Sequence, residues 1–393
     1  MLGTVEEYAP ERLIERHARR GQEEWMTTRT YKRQDDIDDA LLIDICGRFL
    51  AGEKFVKIAE WLETKEVLGR PFSREAVYPQ IARAARKGFI RLEPPTNVVL
   101  QQRIADQFKQ DREEIHVIDV RGDGARDLVA DAAARHVVEL IEEVRRVKKR
   151  VCIALGGGGT VNRVSRSLAR YLAKQFDLPP LALHALTPGF DVFHPRTAPV
   201  SSLGYFDAVD TDIEYVGLFA PAVVPSESYA EVTSRHGIAD SFEKAKEIDI
   251  VITSCARAED EHGELNRFMQ VASKDDGDQT EEALVEAGWI ADVTYRPYSE
   301  FGPISLEHGI RGVSLFEIED LVRLARDEEN KHVVLIAAPC GQCHATKVEA
   351  LRPLLSQPDT LKLWNHLFLD ARTAEALMPE AAKSRNRANR TDS

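Results

Sequence analysis

The 393-residue chain has few cysteines and no long apolar run, and both shortages narrow what the protein can be. It contains five cysteines, an odd number without a regular spacing, which excludes a disulfide-stapled secreted scaffold and predicts reduced thiols. No segment approaches the roughly 20 apolar residues of a membrane span. The amino-terminal residues also lack the apolar core of a signal peptide. We therefore expect a cytoplasmic protein with no membrane partner.

Basic residues are also in the minority. The sequence has 52 lysines and arginines against 65 aspartates and glutamates, a net charge of −13. This balance excludes a general polyanion binder but leaves room for one small basic domain on an acidic body. With 43% hydrophobic and 30% charged residues, the chain is long enough to form two or three globular domains with their own cores.

The glycine-rich stretch "VCIALGGGGTVNRV", residues 151–164, lacks the features of both common nucleotide loops. A Walker loop needs a lysine before the final hydroxyl residue, and a dinucleotide fingerprint needs a glycine where Val161 stands and an acidic residue further on. The pattern still predicts a strand, a loop and a helix whose first amides favour an anion. A sugar phosphate on the loop fits better, and a tight turn that serves packing alone is the alternative.

The stretch "APCGQCHATK" contains Cys340, Cys343 and His344 at the spacing of a c-type haem attachment site. Haem is excluded because the motif follows a buried-strand pattern in a chain without an export signal. A zinc half-site with Cys255 or a histidine is an alternative, although no second C-x-x-C exists. The sequence favours a structural or ligand-lining loop and predicts no metal site.

Residues 35–95 show the pattern of a helix-turn-helix domain, preceded by an extension over residues 1–34. Apolar residues at helical spacing predict two helices separated at Gly52. Ser73 is placed to cap a third helix that ends at Gly88, and "FIRLEPP" predicts a short strand that would act as a wing. Pro79 within the third helix predicts a kink or a later start.

The third helix carries most of the basic charge of this region. Five basic residues lie between Ser73 and Arg91, against the single acidic residue Glu75. A recognition helix with basic edges is typical of binding in the major groove of operator DNA. A helical bundle with a solvated basic face, or a module for protein contacts, is the alternative. The candidate DNA-binding residues are Ser73, Arg74, Tyr78, Gln80, Arg83, Arg86 and Lys87.

Residues 96–380 alternate between apolar β-branched runs and amphipathic helical segments. This alternation predicts an α/β domain with a Rossmann-like, mainly parallel sheet covered on both faces, whose ligands bind beyond the carboxyl ends of the strands. Residues 381–393 are predicted to form a basic, disordered tail. The predicted strands are "EIHVIDV", "RVCIALG", "PLALHAL", "EYVGLFA", "IDIVITS", "WIADVTY", "KHVVLIAA" and "HLFLD".

From about Ala40 to about Met378, these motifs occur in an order that resembles the SorC family of bacterial transcriptional regulators. The helices of "LLIDICGRFLAGEKFVKIAEWL" and "FSREAVYPQIARAARKGFIRL" are similar to its DNA-binding helices, and "VCIALGGGGTVNRVSRSL" to its Gly-Gly-x-Thr loop. "LFAPAVVPSES" looks like its Ala-Pro segment. "AGWIADVTYRPY" matches its Gly-Asp-x-x-x-Arg segment at Asp292 and Arg296. "APCGQCHATKVEALRPLL" places its effector-contacting lysine at Lys347, and "NHLFLDARTAEALM" aligns Asp370.

The resemblance implies a winged helix-turn-helix joined to an effector domain related to sugar-phosphate isomerases, and a homo-oligomer, a dimer or tetramer, on operator DNA. The effector would be a small phosphorylated sugar, with no cofactor. Its candidate binding residues are Gly157, Gly158, Gly159, Thr160, Arg196, Asp292, Arg296 and Lys347. A sugar-phosphate isomerase or deaminase is the alternative, but the spacing of His184, Asp191, His194 and Asp292 singles out no base, and no catalytic residue is predicted.

Three segments depart from the family pattern. "VITSCARAED" stands where the family has a Gly-Ile-Gly turn, "TKEVLGRP" is inserted between the second and third helices, and "APCGQCHATK" is longer than the usual loop. The first and third would border the effector pocket, so the sequence predicts an unusual ligand.

Overall fold

The computed structural model describes residues 37–65, 72–90, 93–188, 195–271, 274–306, 308–326 and 330–379. The predicted extension and tail, and most of the "TKEVLGRP" insertion, lie outside these residues. The chain divides into two compact units between residues 92 and 93. Within the described ranges, no helix is both long enough and apolar enough to cross a membrane.

The first unit contains three helices around a small apolar core. They are α1 (Asp39–Leu50), α2 (Phe55–Glu63) and α3 (Arg74–Arg86). The Asp38 carboxylate caps α1 by accepting a hydrogen bond from the Leu41 amide at 2.8 Å. The core combines residues from all three helices and their flanks: Ile37, Leu41, Leu42, Ile45, Ile58, Ala59, Leu62, Phe72 and Val77.

The third helix ends at Gly88, as the sequence predicts, but does not begin later than Ser73. It begins at Arg74, directly after Ser73, so the later start predicted from Pro79 is wrong. Pro79 is exposed on the helix. Gly88 ends the helix with a φ of +73°, and the Phe89 amide donates to the Ala84 carbonyl at 2.9 Å. Residues 89–90 and 93–95 form no strand, and residues 91–92 are outside the described ranges, so no wing is seen in the described chain.

The second unit is built on a sheet whose seven main strands are all parallel, in the order β1-β11-β10-β6-β2-β3-β4. The short strand β7 pairs antiparallel with the end of β6, and β8 pairs antiparallel with β7. Strands β5 and β9 form a separate antiparallel pair. The strands are β1 (Ile115–Ile118), β2 (Val151–Leu155), β3 (Leu181–Ala185), β4 (Ile213–Val216), β5 (Val223–Pro225), β6 (Ile250–Arg257), β7 (Ala291–Val293), β8 (Arg296–Tyr298), β9 (Ile310–Gly312), β10 (His332–Ala337) and β11 (His366–Asp370).

Helices cover both faces of this sheet, as the alternating sequence pattern predicts. Strands β2 and β3 are buried at every residue, because each has apolar neighbours above and below. The helices are α4 (Val98–Phe108), α5 (Ala125–Val144), α6 (Gly159–Leu172), α7 (Pro199–Leu203), α8 (Tyr229–Thr233), α9 (Ile238–Lys244), α10 (Glu264–Val271), α11 (Lys274–Glu286), α12 (Ile318–Arg326), α13 (Val348–Ser356) and α14 (Ala371–Leu377).

Each face has its own apolar cluster. On one face, α5 and α6 pack against residues such as Ile153, Val334 and Phe368. On the other, α4, α12, α13 and α14 pack against residues such as Val117 and Leu335. The predicted α/β class with a mostly parallel, doubly covered sheet is confirmed. All eight predicted strands are present, and the three that the sequence missed, β5, β8 and β9, have only three residues each.

Candidate ligand site

A cavity of about 320 Å³ lies beyond the carboxyl ends of the parallel strands. Such volumes fit small ligands, whose sites range from roughly 300 to 1,000 Å³. The glycine loop after β2, the ends of β6 and β7 and the loop before α13 supply its walls. Of the eight predicted effector residues, seven line it: Gly157, Gly158, Gly159, Thr160, Arg196, Asp292 and Lys347.

The glycine loop holds the start of α6 against the neighbouring strand. The Gly156 amide donates to the Ile252 carbonyl at 2.9 Å, and the Gly158 amide donates to the Thr197 carbonyl at 3.0 Å. Gly158 has a φ of +96° and a ψ of 161°, a conformation that is essentially restricted to glycine. The helix begins at Gly159, so its first amides lack acceptors within the helix and lie at the wall of the cavity.

Asn162 fixes the loop to the segment that carries Arg196. Its side-chain amide donates to the Arg196 carbonyl at 2.8 Å and to the Ser202 hydroxyl at 3.2 Å. The Tyr205 hydroxyl lies 3.1 Å from the same nitrogen. Because Asn162 is buried, these bonds hold the segment of Arg196 and Thr197 beside the glycine loop.

Positive charge exceeds negative charge around the cavity. The cationic residues that line it are Arg163, Arg166, Arg196, Arg267 and Lys347, and the carboxylates are Asp260, Glu264 and Asp292. Sequence analysis missed three of these arginines. Arg163 and Arg166 could have been found, because they lie four and seven residues after Gly159 and hence on one face of the helix that follows the loop. The surplus of positive charge favours an anionic ligand.

Lys347 reaches the cavity from the position just before α13. It is only 8% exposed, and its ammonium group donates to the Ser254 hydroxyl at 2.7 Å. Ser254 in turn donates to the Ile336 carbonyl at 2.7 Å. The positive charge of Lys347 is therefore held inside the site and is not exposed on the surface.

Asp292 lies on β7 and is 6% exposed. Burial, reinforced by the negative charge of Glu264 and only partly offset by Lys347, raises the pKa of Asp292 to about 7. It also accepts a hydrogen bond from the Tyr295 backbone. The next two residues, Thr294 and Tyr295, both have positive φ, at 50° and 65°, so this carboxyl group is held by a strained turn.

Glu264 is the carboxylate that comes nearest to the glycine loop. It lies so close to Gly157 that a Cβ there would collide with it. The Tyr295 hydroxyl donates to Glu264 Oε2 at 2.9 Å. An anion that entered the loop would therefore have to displace this carboxylate or share the surrounding cations with it.

The "APCGQCHATK" loop contributes Cys340, Gly341, Gln342 and Lys347 to the lining. The structure therefore places this long loop at the ligand cavity, as predicted. Arg126 donates to the Gly341 carbonyl at 2.7 Å and ties the loop to α5. Cys340 and Cys343 lie within 4.8 Å of an oxygen of Asp260, whereas Cys255, the partner considered from sequence, does not belong to that group.

Arg296 is the predicted effector residue that does not line this cavity. Its side chain points away to an ion pair with Glu317, where Nη2 donates to Oε1 at 2.9 Å. Nη1 donates to the Gly312 carbonyl at 2.5 Å, and Nη2 also donates to the Tyr229 hydroxyl at 2.8 Å. The assignment of Arg296 to the effector is corrected, because its donors are used in holding β8, β9 and the α12 region together.

The predicted DNA-binding residues of α3 do not all face solvent. Ser73, Arg74, Tyr78, Arg86 and Lys87 are exposed, with Arg74 paired to Glu75 and Lys87 to Asp39. Gln80 is 1% exposed and faces the helical core, so its assignment as a DNA contact is corrected. Arg83 is half-buried and donates to the Ile37 carbonyl at 3.0 Å, which anchors α3 to the residues just before α1.

Two of the four bases considered for an enzyme, His184 and Asp292, are among the described residues. His184 lies on β3, 2% exposed, away from the cavity, and burial lowers its pKa to about 4. Asp292 lines the cavity, where Asp260, His262 and Glu264, which the sequence did not single out, join it. Asp191 and His194 lie outside the described residues.

No protein-family model matches the sequence, and no curated protein matches it either. Solved structures do match. The full-length sorbitol operon regulator SorC from Klebsiella pneumoniae is 15% identical and matches over 86% of this chain and 99% of that chain, with a TM-score of 0.53. This chain has the SorC regulator fold.

Two further transcriptional regulators have a similar fold. A probable sor operon regulator from Shigella flexneri is 14% identical over 72% of this chain and 98% of that chain, with a TM-score of 0.52. A DeoR family transcriptional regulator from Listeria monocytogenes is 19% identical over 72% and 99%, with a TM-score of 0.50. The match to the Klebsiella SorC regulator covers more of the chain than the α/β unit alone makes up.

Proposed function

We propose that this protein is a DNA-binding transcriptional regulator whose affinity for its operator is controlled by a small phosphorylated sugar bound in the α/β unit. The observation that carries the proposal is the cavity itself, in which free helix-start amides, the glycine loop and a buried lysine meet. The SorC regulator fold supports the same class of function, because its neighbours are transcriptional regulators.

The phosphate would lie at the amino end of α6. Amides at a helix start and the helix dipole together favour an anion, and the phosphate would displace the Glu264 carboxylate that lies beside Gly157. Lys347 would add a compact positive charge on the opposite wall, with Arg196 as a further donor. The Thr160 hydroxyl completes the proposed phosphate contacts.

The sugar would lie toward β7. Asp292 can accept hydrogen bonds from hydroxyl groups when ionised and donate one when protonated. The Thr294 hydroxyl is buried, has no hydrogen-bond partner, and lines the same cavity. A sugar hydroxyl would satisfy it, and this supports a polyhydroxylated ligand over inorganic phosphate alone.

Lys347→Met tests the phosphate site. We expect it to weaken binding of the best sugar phosphate by about 10- to 100-fold, because a charge-assisted hydrogen bond contributes roughly 1.5–3 kcal/mol. Binding of the same sugar without its phosphate should change little. Candidates are found by a thermal-shift screen with glucose 6-phosphate, fructose 6-phosphate and ribose 5-phosphate, and affinities are then measured by titration calorimetry.

Lys246→Met is the matched control, since Lys246 is exposed and pairs only locally with Glu243. If no sugar phosphate stabilises the protein, or if Lys347→Met leaves the affinity for the phosphorylated sugar unchanged, the proposed effector site is wrong.

Arg86→Ala tests the DNA-binding surface. Arg86 is exposed on α3, so we expect its loss to weaken binding of a random-sequence DNA duplex and to lower the slope of log K against log salt by about 1. Arg323→Ala, on the exposed face of α12, is the control. Fluorescence anisotropy at several salt concentrations gives both values, and an unchanged slope would contradict the assignment.

Ligand control requires that the sugar phosphate bind two states of the protein unequally. The expected coupling is about 1–3 kcal/mol, a change of roughly 5- to 150-fold in operator affinity.

We also propose a homo-oligomer, since two-fold assemblies match operators with paired half-sites. Light scattering coupled to size exclusion measures the assembly.

A sugar-phosphate isomerase or deaminase is the second candidate. It is favoured by the acidic and histidine side chains that share the cavity with Asp292, whose pKa of about 7 suits proton transfer. Incubation of each binding sugar phosphate with the protein, followed by NMR, would detect turnover. Binding without turnover favours the regulator.

A further inference from the structure

Four histidines cluster at the end of the sheet opposite the ligand cavity. His366 and His332 are the first residues of β11 and β10, and His116 is the second residue of β1. These three strands are neighbours in the sheet. His136 approaches from α5, with its ring centroid 4.6 Å from that of His366 and 4.8 Å from that of His116.

The register explains why the rings meet. His116 is paired with Phe368, so His366, two residues earlier on β11, points to the same face of the sheet. His366 is paired with Val334, which places His332 on that face as well. This face is the one that α5 covers, and the histidines form a diagonal line beneath it.

The ring nitrogens are close enough to share one ion. One nitrogen from each of His116, His136 and His366 lies within 4.8 Å of the other two. Three nitrogens around a tetrahedral zinc ion would be about 3.4 Å apart, given a bond of about 2.0–2.1 Å. His136 Nε2 and His366 Nδ1 are already 3.0 Å apart, so modest ring rotations would complete the set.

The hydrogen bonds fix the outward nitrogens of two rings. His136 Nδ1 lies 3.1 Å from Glu139 Oε2, and since a carboxylate accepts, this nitrogen carries a proton. His136 Nε2 then carries a lone pair, which in this structure accepts a hydrogen bond from His366 Nδ1 at 3.0 Å. His366 Nε2 lies 3.1 Å from His332 Nδ1. A carboxylate, a backbone carbonyl or water behind a ligating imidazole is the usual outer support of a metal site, so Glu139 is the usual kind of partner and His332 an uncommon one.

Two nitrogens in the cluster have no partner. His116 Nε2 and His332 Nε2 are buried and make no hydrogen bond. A buried polar atom without a partner costs about 1–3 kcal/mol, so a packed core would favour apolar residues here. A metal ion would satisfy the His116 nitrogen directly. It would also let His366 donate to His332 through Nε2.

We propose that His116, His136 and His366 bind a divalent transition metal ion of the zinc class, with Glu139 and His332 orienting the rings. Neutral imidazoles are preferred ligands of Zn²⁺, Ni²⁺ and Cu²⁺, and three of them leave one position for water. The metal would tie α5 to three strands and would act on the regulator as a ligand separate from the sugar phosphate. Sequence analysis predicted no metal site, because these histidines are far apart in the chain.

The cluster can be reached from solvent at His136. The side chain of His136 is 20% exposed, which gives an ion a path into the cluster.

The test uses untagged, full-length protein stripped of metal by chelator. Asp260, Cys340 and Cys343 form a second group of potential ligands, so all measurements are made in a Cys340→Ser, Cys343→Ser background. Titration calorimetry with Zn²⁺ should show one site, and Co²⁺ should give the absorption of a tetrahedral ion. His366→Gln or His136→Gln should weaken Zn²⁺ binding at least 10-fold and abolish the cobalt spectrum.

Glu139→Gln removes the carboxylate that accepts a hydrogen bond from His136. It should weaken Zn²⁺ binding by about 10- to 100-fold, with the cobalt spectrum retained. His236→Gln is the control, because His236 is 98% exposed and lies outside the cluster. Circular dichroism confirms that each variant is folded. Absence of stoichiometric Zn²⁺ binding, or binding that His366→Gln and His136→Gln leave unchanged, would overturn the proposal without affecting the sugar-phosphate site.

Discussion

Replacing Glu317 with alanine is expected to lower the free energy of unfolding by about 3–5 kcal/mol, because it leaves the buried Arg296 guanidinium without its ion-pair partner. The Arg296 side chain is 6% exposed, whereas Glu317 is 38% exposed and also accepts a hydrogen bond from Arg311 at 2.7 Å. The cost of breaking the pair therefore depends on which partner is removed. Urea unfolding followed by tryptophan fluorescence measures it, since Trp364 is fully buried in the α/β unit.

Arg296→Met should be less destabilising than Glu317→Ala. The methionine fills part of the space, and the remaining Glu317 keeps Arg311 and solvent as partners. The Gly312 carbonyl and the Tyr229 hydroxyl would lose the hydrogen bonds that Arg296 donates, and each lost bond would lower the free energy of unfolding by about 1 kcal/mol. Sugar-phosphate affinity should be retained in Arg296→Met. The opposite order of stabilities would contradict the ion-pair argument. A loss of sugar-phosphate binding in a folded Arg296→Met would show that Arg296 belongs to the effector site.

Asp292 lines the cavity and Arg296 does not, and the sequence does not predict this difference. Both residues come from "AGWIADVTYRPY" and both match the same motif, so no feature of the sequence separates them. The strained turn at Thr294 and Tyr295 reverses the chain between β7 and β8. It leaves Asp292 on the cavity and directs Arg296 to Glu317. A three-residue strand and a turn with positive φ at non-glycine residues leave no recognisable signal in a single sequence.

Other parts of the site were open to prediction, to different extents. The parallel sheet, the glycine loop and the position of Lys347 followed from apolar runs and motif order. The burial of Gln80 could have been predicted from helical spacing, since Val77, Gln80 and Ala84 share one face of α3. Glu264 and Asp260 could not, because tertiary packing alone brings α10 and the segment before it to the glycine loop.

Asp292→Asn is expected to raise the free energy of unfolding at pH 8 by an amount of the order of 4 kcal/mol. The pKa of Asp292 rises from an ordinary value of 3.8 to about 7 on folding, chiefly through burial. Between these values the unfolded chain loses the proton while the folded chain keeps it, so stability falls as pH rises from about 4 to 7. Above pH 7 the full cost of the buried carboxylate is present. An uncharged amide of the same shape avoids that cost.

The difference between Asp292→Asn and the original protein should therefore shrink toward zero as pH falls to 4. Urea unfolding at several pH values measures this dependence, with Asp359→Asn as the control, since the Asp359 side chain is 95% exposed. A pH-independent difference, or a loss of stability at pH 8, would mean that the carboxyl group does not titrate near 7. The same variant should bind the sugar phosphate more weakly, because an ionised carboxylate makes stronger hydrogen bonds to hydroxyl groups than an amide does. A group that destabilises the empty protein and strengthens ligand binding increases the stability that the protein gains on binding its ligand, so the rise in melting temperature with sugar phosphate should be smaller for Asp292→Asn.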